Sequence, residues 1–266
     1  MGILNVTPDS FSDGGRYHDK NRAVEHGLQM VQDGADIIDI GGESTRPGAM
    51  PVSLDNELER VMPVVEALVR REDIVLSVDT MKSEVAERAL AAGAHIINDV
   101  SALSADPRMA DVAKAYGAGV ILMHKRGEAC TMQAQAVYAD VVREVRDYLS
   151  ARVDCAEQSG LARNTLAIDP GFGFAKTAEQ NVFLLAHLSA LRACARPIVV
   201  GFSRKAFIGR LTGREVEDRD AGTLGALAFG LGEGAHVLRV HDVKAVRDVV
   251  RVLSALRKEK CRVATS

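Results

Sequence analysis

Met1-Gly-Ile-Leu-Asn5-Val-Thr-Pro8-Asp-Ser-Phe11-Ser-Asp-Gly-Gly15 opens the chain, and its change of character halfway along decides how the rest is read. Residues 1–4 form an apolar run that suits a buried strand. At Asn5 the composition turns to Asn, Thr, Asp and Ser, closed by Gly14 and Gly15. Pro8 ends strand pairing because it has no N–H to give, and it biases Thr7 away from helix. A buried strand that runs into a polar, glycine-rich loop is the way α/β folds present a site, outside the carboxyl ends of parallel strands.

The same pattern recurs. Val24, Leu28 and Val31 mark a helix ending near Gly34, and strands are predicted at 37–40, 74–78, 96–97, 120–123, 166–168, 198–200 and 237–238. Between them lie amphipathic helices carrying Leu58, Val61, Met62, Val65 and Leu68, with Pro63 expected to kink the helix. Further helices are predicted over 82–92, from about 107 to 116, through Val142, Val145, Leu149 and Val153, and around Phe183, Leu184 and Leu188. The last two cover 223–233 and the run Val246, Val249, Val250, Leu253 and Leu256, after which the polar tail 258–266 is expected to fray. Eight strand-plus-helix units, with no linker or charge block to divide them, predict one (β/α)8 TIM barrel over residues 1–266.

Composition excludes other classes. A net charge of −3 leaves no basic footprint for nucleic acid. No apolar run approaches the ~20 residues of a membrane span, and no signal peptide precedes the first strand. Cys130, Cys155, Cys194 and Cys261 form no C-x-x-C pair, so reduced thiols in a cytoplasmic protein are expected.

In a barrel the loops after the strands share one face, so Asn5, Thr45, Arg46, Asp79, Asn98, Asp169, Ser203, Lys205, Arg239 and His241 should converge. Singly, each has a plainer reading. Asp79 or Asn98 could cap the next helix, Arg239 could be a surface ion pair, and His95 and His124 read as ordinary loop or core-edge residues. Together they would bury carboxylates, amides and cations without purpose unless they hold a ligand. Arg46, Arg239, His241 and Asn5 suit a polyanion, with an amide oxygen able to hold Mg²⁺. Asp79, Asn98, Asp169 and Lys205 suit a flat heterocycle with alternating donors and acceptors. Residue chemistry alone therefore points to a barrel enzyme acting on a phosphorylated, nitrogen-rich small molecule.

Asn5-Val-Thr-Pro-Asp-Ser-Phe-Ser-Asp, Gly41-Gly-Glu-Ser-Thr-Arg-Pro-Gly, Ser77-Val-Asp-Thr, Ile97-Asn-Asp-Val, Asp169-Pro-Gly-Phe-Gly-Phe, Ser203-Arg-Lys and Arg239-Val-His-Asp-Val together resemble the motifs of the dihydropteroate synthases, over almost the whole chain. The resemblance implies condensation of 6-hydroxymethyl-7,8-dihydropterin diphosphate with para-aminobenzoate to give 7,8-dihydropteroate and diphosphate. It implies a Mg²⁺-dependent homodimer of the cytoplasm and a sulfonamide target. Carried over by position, Asp79, Asn98, Met123, Asp169, Phe174 and Lys205 would bind the pterin. Asn5, Arg46, Arg239 and His241 would hold diphosphate, with Asn5 on the metal, and Phe11, Thr45, Arg46, Pro47 and Ser203 would form the aminobenzoate pocket. Asp79, Lys205, Arg239 and His241 would carry the catalytic step.

Two features depart from the family. Its members usually have residues ahead of the first strand, so either the barrel floor is less closed here or the natural start lies upstream of Met1. The loop at 124–133 has Lys125 where Met is more usual and Ala129 where Pro is. Segments 7–21 and 41–53, polar and poor in apolar anchors, are expected to order only as substrates arrive. Two rival classes lack support. A methyltetrahydrofolate-binding barrel has no use for Thr45-Arg-Pro47 or Ser203-Arg-Lys205, and an inactive paralogue should have lost one of the paired groups, yet none is missing.

Overall fold

The computed structural model describes residues 1–7, 15–44, 48–71, 74–127 and 131–264, apart from the side chains of 15–19, 261, 263 and 264. Eight parallel strands follow one another around a ring: β1 (Gly2–Asn5), β2 (Ile37–Gly41), β3 (Val75–Asp79), β4 (Ile96–Asp99), β5 (Gly119–Met123), β6 (Leu166–Asp169), β7 (Val199–Val200) and β8 (Val237–Leu238). The first six pair in order and the last two pair with each other. Single bridges between Ile168 and Ile198 and between Gly2 and Val240 close the ring. It is the expected TIM barrel.

Helices α1 (Gly15–Gln32), α2 (Leu54–Leu68), α3 (Ser83–Ala92), α4 (Met109–Tyr116), α5 (Val141–Gln158), α6 (Ala178–Ala186), α7 (Ala206–Thr212), α8 (Asp220–Glu233) and α9 (Val243–Ala264) surround it. Their ends are set locally. Asp140 accepts from the Arg143 N–H, and Thr177 and Gln180 form a reciprocal capping box. Outward strand residues such as Ile38, Ile40, Leu76 and Leu122 are fully buried against Val61, Val65 and Leu68 of α2 and their counterparts. Each such side chain contributes about 1.5–3 kcal/mol.

Several expectations need correction. α1 begins at Gly15, so residues 15–21 are helical rather than loop. Pro63 does lie inside α2, where the kink is expected. An extra short helix, α7, fills the segment after β7 that reads as loop in the sequence. α9 continues to Ala264 instead of fraying at 258, although Leu256 on it is exposed.

The barrel interior positions the site. Side chains alternate along each strand, and the tilt of the strands sorts the inward ones into layers fed by even and odd strands in turn. Ile37, Ile96, Ala167 and Val237 make the first layer, and Met1, Ser77, Ile121 and Val199 the second. Met1 thereby takes a place in the second layer. The third layer, from the even strands, is Asp39, Asn98, Asp169 and Arg239. The fourth, from the odd strands, is Ile3, Asp79, Met123 and Gly201. Apolar packing stops after two layers and charge begins.

Candidate active site

Arg239 ties the charged layers together. Its Nε donates to Asp39 Oδ2 at 2.6 Å and its Nη2 to Asp79 Oδ2 at 2.8 Å, while Asn98 Nδ2 donates to the same Asp39 oxygen at 3.0 Å. Asp169 Oδ1 accepts from the Gly171 N–H at 2.7 Å, the tight turn being possible because Gly171 has φ of +67°. A Cβ on Gly171 would collide with the His124 carbonyl oxygen.

Burial dominates the electrostatics. It raises Asp79 to about 7, with Asp39, Glu57 and Asp99 adding repulsion against the pull of Arg239. It raises Asp169 to about 6, opposed by the Gly171 hydrogen bond and by Arg239, Lys205 and Lys176. Arg239 is penalised by its own burial, yet Asp39, Asp79 and Asp169 hold its charge more firmly than usual.

Above these layers opens a cleft lined by Asp79, Asn98, Val100, Met123, Asp169, Gly171, Phe172, Phe174, Gly201, Lys205 and Arg239. Lys205 Nζ stands 4.4 Å from the centre of the Phe174 ring, and its stem passes the side of Gly173 that a Cβ would crowd. Every residue expected at the heterocycle is thus brought to one cavity. Arg239 is there too, among carboxylates. His241 Nδ1 instead meets Ser203 Oγ at 3.0 Å, joining two residues assigned to different subsites. A Cβ on Gly41 would stand 3.8 Å from both Asn5 Oδ1 and Asp79 Oδ2, so those oxygens converge across the bare glycine. Phe11, Thr45, Arg46 and Pro47 lie outside the described residues.

Two groups escaped the sequence reading. Asp39 is fully buried and does not end its strand; its signal was parity, since it shares the inward register of Asn98, Asp169 and Arg239. Lys176 is buried behind the loop that follows β6. Its Nζ meets His124 Nδ1 at 3.0 Å, Gly171 O at 2.9 Å and Phe174 O at 3.1 Å. Burial pulls Lys176 down to about 7 against the attraction of Asp169, and burial with Lys176 and Arg126 pushes His124 to about 2. His124 is therefore a neutral core residue packed edge-on against Tyr148, not a cleft group. At the base of the segment after β2, buried Glu57 binds Thr80 Oγ1 at 2.6 Å and Lys82 Nζ at 2.5 Å, and Lys82 also binds Glu43. Lys125, the departure at the rim, has its Nζ 3.3 Å from Met81 Sδ.

Residues 1–241 match the family model for pterin binding enzymes. The dihydropteroate synthase of Synechocystis is 47% identical over 96% of this chain and 89% of its own, and that of Escherichia coli K12 is 46% identical over 98% and 92%. The chain belongs to the dihydropteroate synthase family. Members of that family are transferases of folate biosynthesis, so the activity expected from the motifs stands. The solved dihydropteroate synthase of Xanthomonas albilineans with 4-aminobenzoic acid superposes with a TM-score of 0.91 at 49% identity, covering 97% of this chain and 92% of that one. The Yersinia pestis enzyme, solved as a sulfonamide drug complex, gives 0.91 at 43% identity over 97% and 94%.

Proposed function

We propose that the cleft binds the dihydropterin ring of 6-hydroxymethyl-7,8-dihydropterin diphosphate and that this chain joins its methylene carbon to the amine of para-aminobenzoate. The observation that carries this reading is the charged pair of layers beneath the cleft. Asp79, Asp169 and Asn98 offer acceptors toward a flat ring, and Lys205 offers a donor. Met123 and Phe174 form its apolar walls.

The reaction breaks the bond between the methylene carbon and diphosphate oxygen, then forms a carbon–nitrogen bond as the arylamine gives up a proton. Positive charge develops on the methylene and spreads into the reduced ring. Asp79 and Asp169, ionised beneath the bound ring, would lower that charge's energy. Ring N–H donors draw both acids into their ionised forms on binding, against the pull of burial. Arg239 and His241 take the departing diphosphate. Ser203, bonded to His241, links that subsite to the aminobenzoate pocket proposed for Phe11, Thr45, Arg46 and Pro47.

Asn5 fits Mg²⁺ held mainly by substrate. Among the described residues no three His, Cys, Asp or Glu side chains gather as a protein-built metal cage. Mg²⁺ commonly takes one or two protein oxygens and completes its shell with water and phosphate, and Asn5 Oδ1 lies beside the bare backbone of Gly41. When bound, the ion would neutralise the leaving diphosphate.

The molecule acts as a homodimer in the cytoplasm under the same proposal. Exposed Phe183 on α6, Leu211 on α7 and Phe229 on α8 support a partner-facing side on three neighbouring helices. No described helix is long and apolar enough to cross a membrane. Diphosphate release assayed with both substrates, and with each omitted, tests the reaction. Release that needs both substrates and Mg²⁺ is expected; release indifferent to aminobenzoate would overturn it.

A further inference from the structure

Asp39 is the most deeply buried acid of the charged layers, fully shielded from solvent, and it does not line the cleft. It nevertheless touches two residues that do. One of its oxygens, Oδ2, accepts from both Asn98 Nδ2 and Arg239 Nε. We propose that Asp39 is a positioning residue that fixes which end of the Asn98 amide, and which edge of the Arg239 guanidinium, is presented to the ligand.

A carboxylate accepts hydrogen bonds and cannot donate them, so only the NH₂ end of Asn98 can rest against it. The amide oxygen is thereby turned away and is left to accept from a ligand N–H. Without that anchor a carboxamide has two nearly isosteric orientations, and its hydrogen-bonding sense toward a ligand is undefined. Arg239 is fixed in the same way. Its Nε–Nη2 edge is committed to Asp39 and Asp79, so the Nη1 end, which makes no hydrogen bond to a described residue, is the one left for an incoming oxygen. A single buried acid thus sets the polarity of an acceptor and of a cation at once. The inference rests on the pterin reading of the cleft and adds a residue that touches neither substrate.

The test uses three variants of the full chain with a non-reacting pterin analogue, followed by calorimetry, alongside kcat and KM for the pterin substrate. Asp39→Asn removes the enforced polarity and should weaken the analogue roughly tenfold or more, because a site built to pair donors and acceptors fails when one is misaligned. Asn98→Asp alone places two carboxylates side by side and should weaken it as well. The double variant Asp39→Asn/Asn98→Asp restores the pattern: the new amide at 39 gives its NH₂ to the acid at 98 and its oxygen to Arg239. Its affinity should return to within about threefold of the parent, far from the product of the single losses. A merely structural Asp39 would not be repaired by an exchange, and the double variant would be as weak as the worse single one. That result, or an Asp39→Asn variant that binds like the parent, overturns the inference. Failure of the parent itself to bind the analogue would instead overturn the pterin reading. Should Asp39→Asn not fold, the double variant, which keeps net charge and hydrogen bonds, still decides between rescue and none.

Discussion

The lower and upper halves of the barrel interior share one geometry and opposite chemistry. Below, Ile37, Ile96, Ala167, Val237, Met1, Ile121 and Val199 pack as two apolar layers, interrupted only by Ser77. Above, the equivalent places hold Asp39, Asn98, Arg239 and Asp79, bound to one another, with Asp169, Ile3, Met123 and Gly201 beside them, and they open on a cleft. The lower half gains stability from every atom it buries. The upper half carries charges that burial penalises, seen in acids raised to about 7 and about 6. Stability and function are thus stacked along one axis a few residues apart.

The sharpest way to break this division is to disturb each half and read both properties. Ile121→Ala should lower unfolding stability by about 2–5 kcal/mol, since it opens a cavity among rigid neighbours. Pterin affinity of the folded fraction should change little, as measured by denaturant melts beside calorimetry. A large affinity loss would show that the halves are not separable.

Asp169→Asn should do the reverse. An amide there sets an NH₂ against ring donors and leaves buried groups unpaired, at roughly 1–3 kcal/mol or more of binding. Stability at pH 7.5 should be kept or raised. The sign follows from linkage: a carboxyl whose folded value lies above its ordinary 3.8 contributes stability below about pH 4 and loses it as pH rises through about 6. The variant should therefore gain on the parent between pH 4.5 and 7.5, and melts at the two pH values provide the check. A gain that shrank with rising pH would be the wrong sign.

Lys176→Met probes the border between the halves. It removes the ammonium joining Gly171 O, Phe174 O and His124 Nδ1, leaving the Phe174 carbonyl without that donor and Gly171 O with only the Phe174 N–H, at roughly 1–3 kcal/mol. Both melting temperature and pterin affinity should fall, because Phe174 is a wall of the cleft. Loss of stability alone would assign this loop to the scaffold.

The mildest probe is pH itself. Ligand binding should ionise Asp79 and Asp169, so affinity for a pterin analogue should rise on the order of tenfold from pH 5 to 7, with protons released. Titration in buffers of different ionisation enthalpy measures that release. Flat affinity would mean the acids are already charged in the free protein.

The sequence made the upper half legible wherever a polar residue ended a strand, as at Asp79, Asn98, Asp169 and Arg239. An abrupt loss of hydrophobicity is easy to see against an apolar run. Asp39 was hidden because Ile38 and Ile40 flank it, and its direction depends on a register that only strand pairing reveals. Lys176 was hidden differently: a lysine after a glycine-rich turn reads as solvated, and nothing local says that three acceptors enclose it. α7 was overlooked because seven residues are too few for helical periodicity to declare itself. Leu256 misled in the opposite sense, since spacing along α9 continues past the point where the helix leaves the barrel wall.

The bare backbone at Gly201 and Gly41 has one further consequence. At each, a side chain would have met Asp169 and Arg239, or Asp79 and Asn5, at ordinary contact distance, so the barrel omits groups that its own packing could have accepted. Under the proposed function, the substrate takes their place. A bound pterin is in this sense the last side chain of the interior, delivered by diffusion instead of translation. Its arrival should carry the thermodynamic marks of a folding step. Heat capacity should fall on binding, and the melting temperature should climb with ligand concentration as mass action requires.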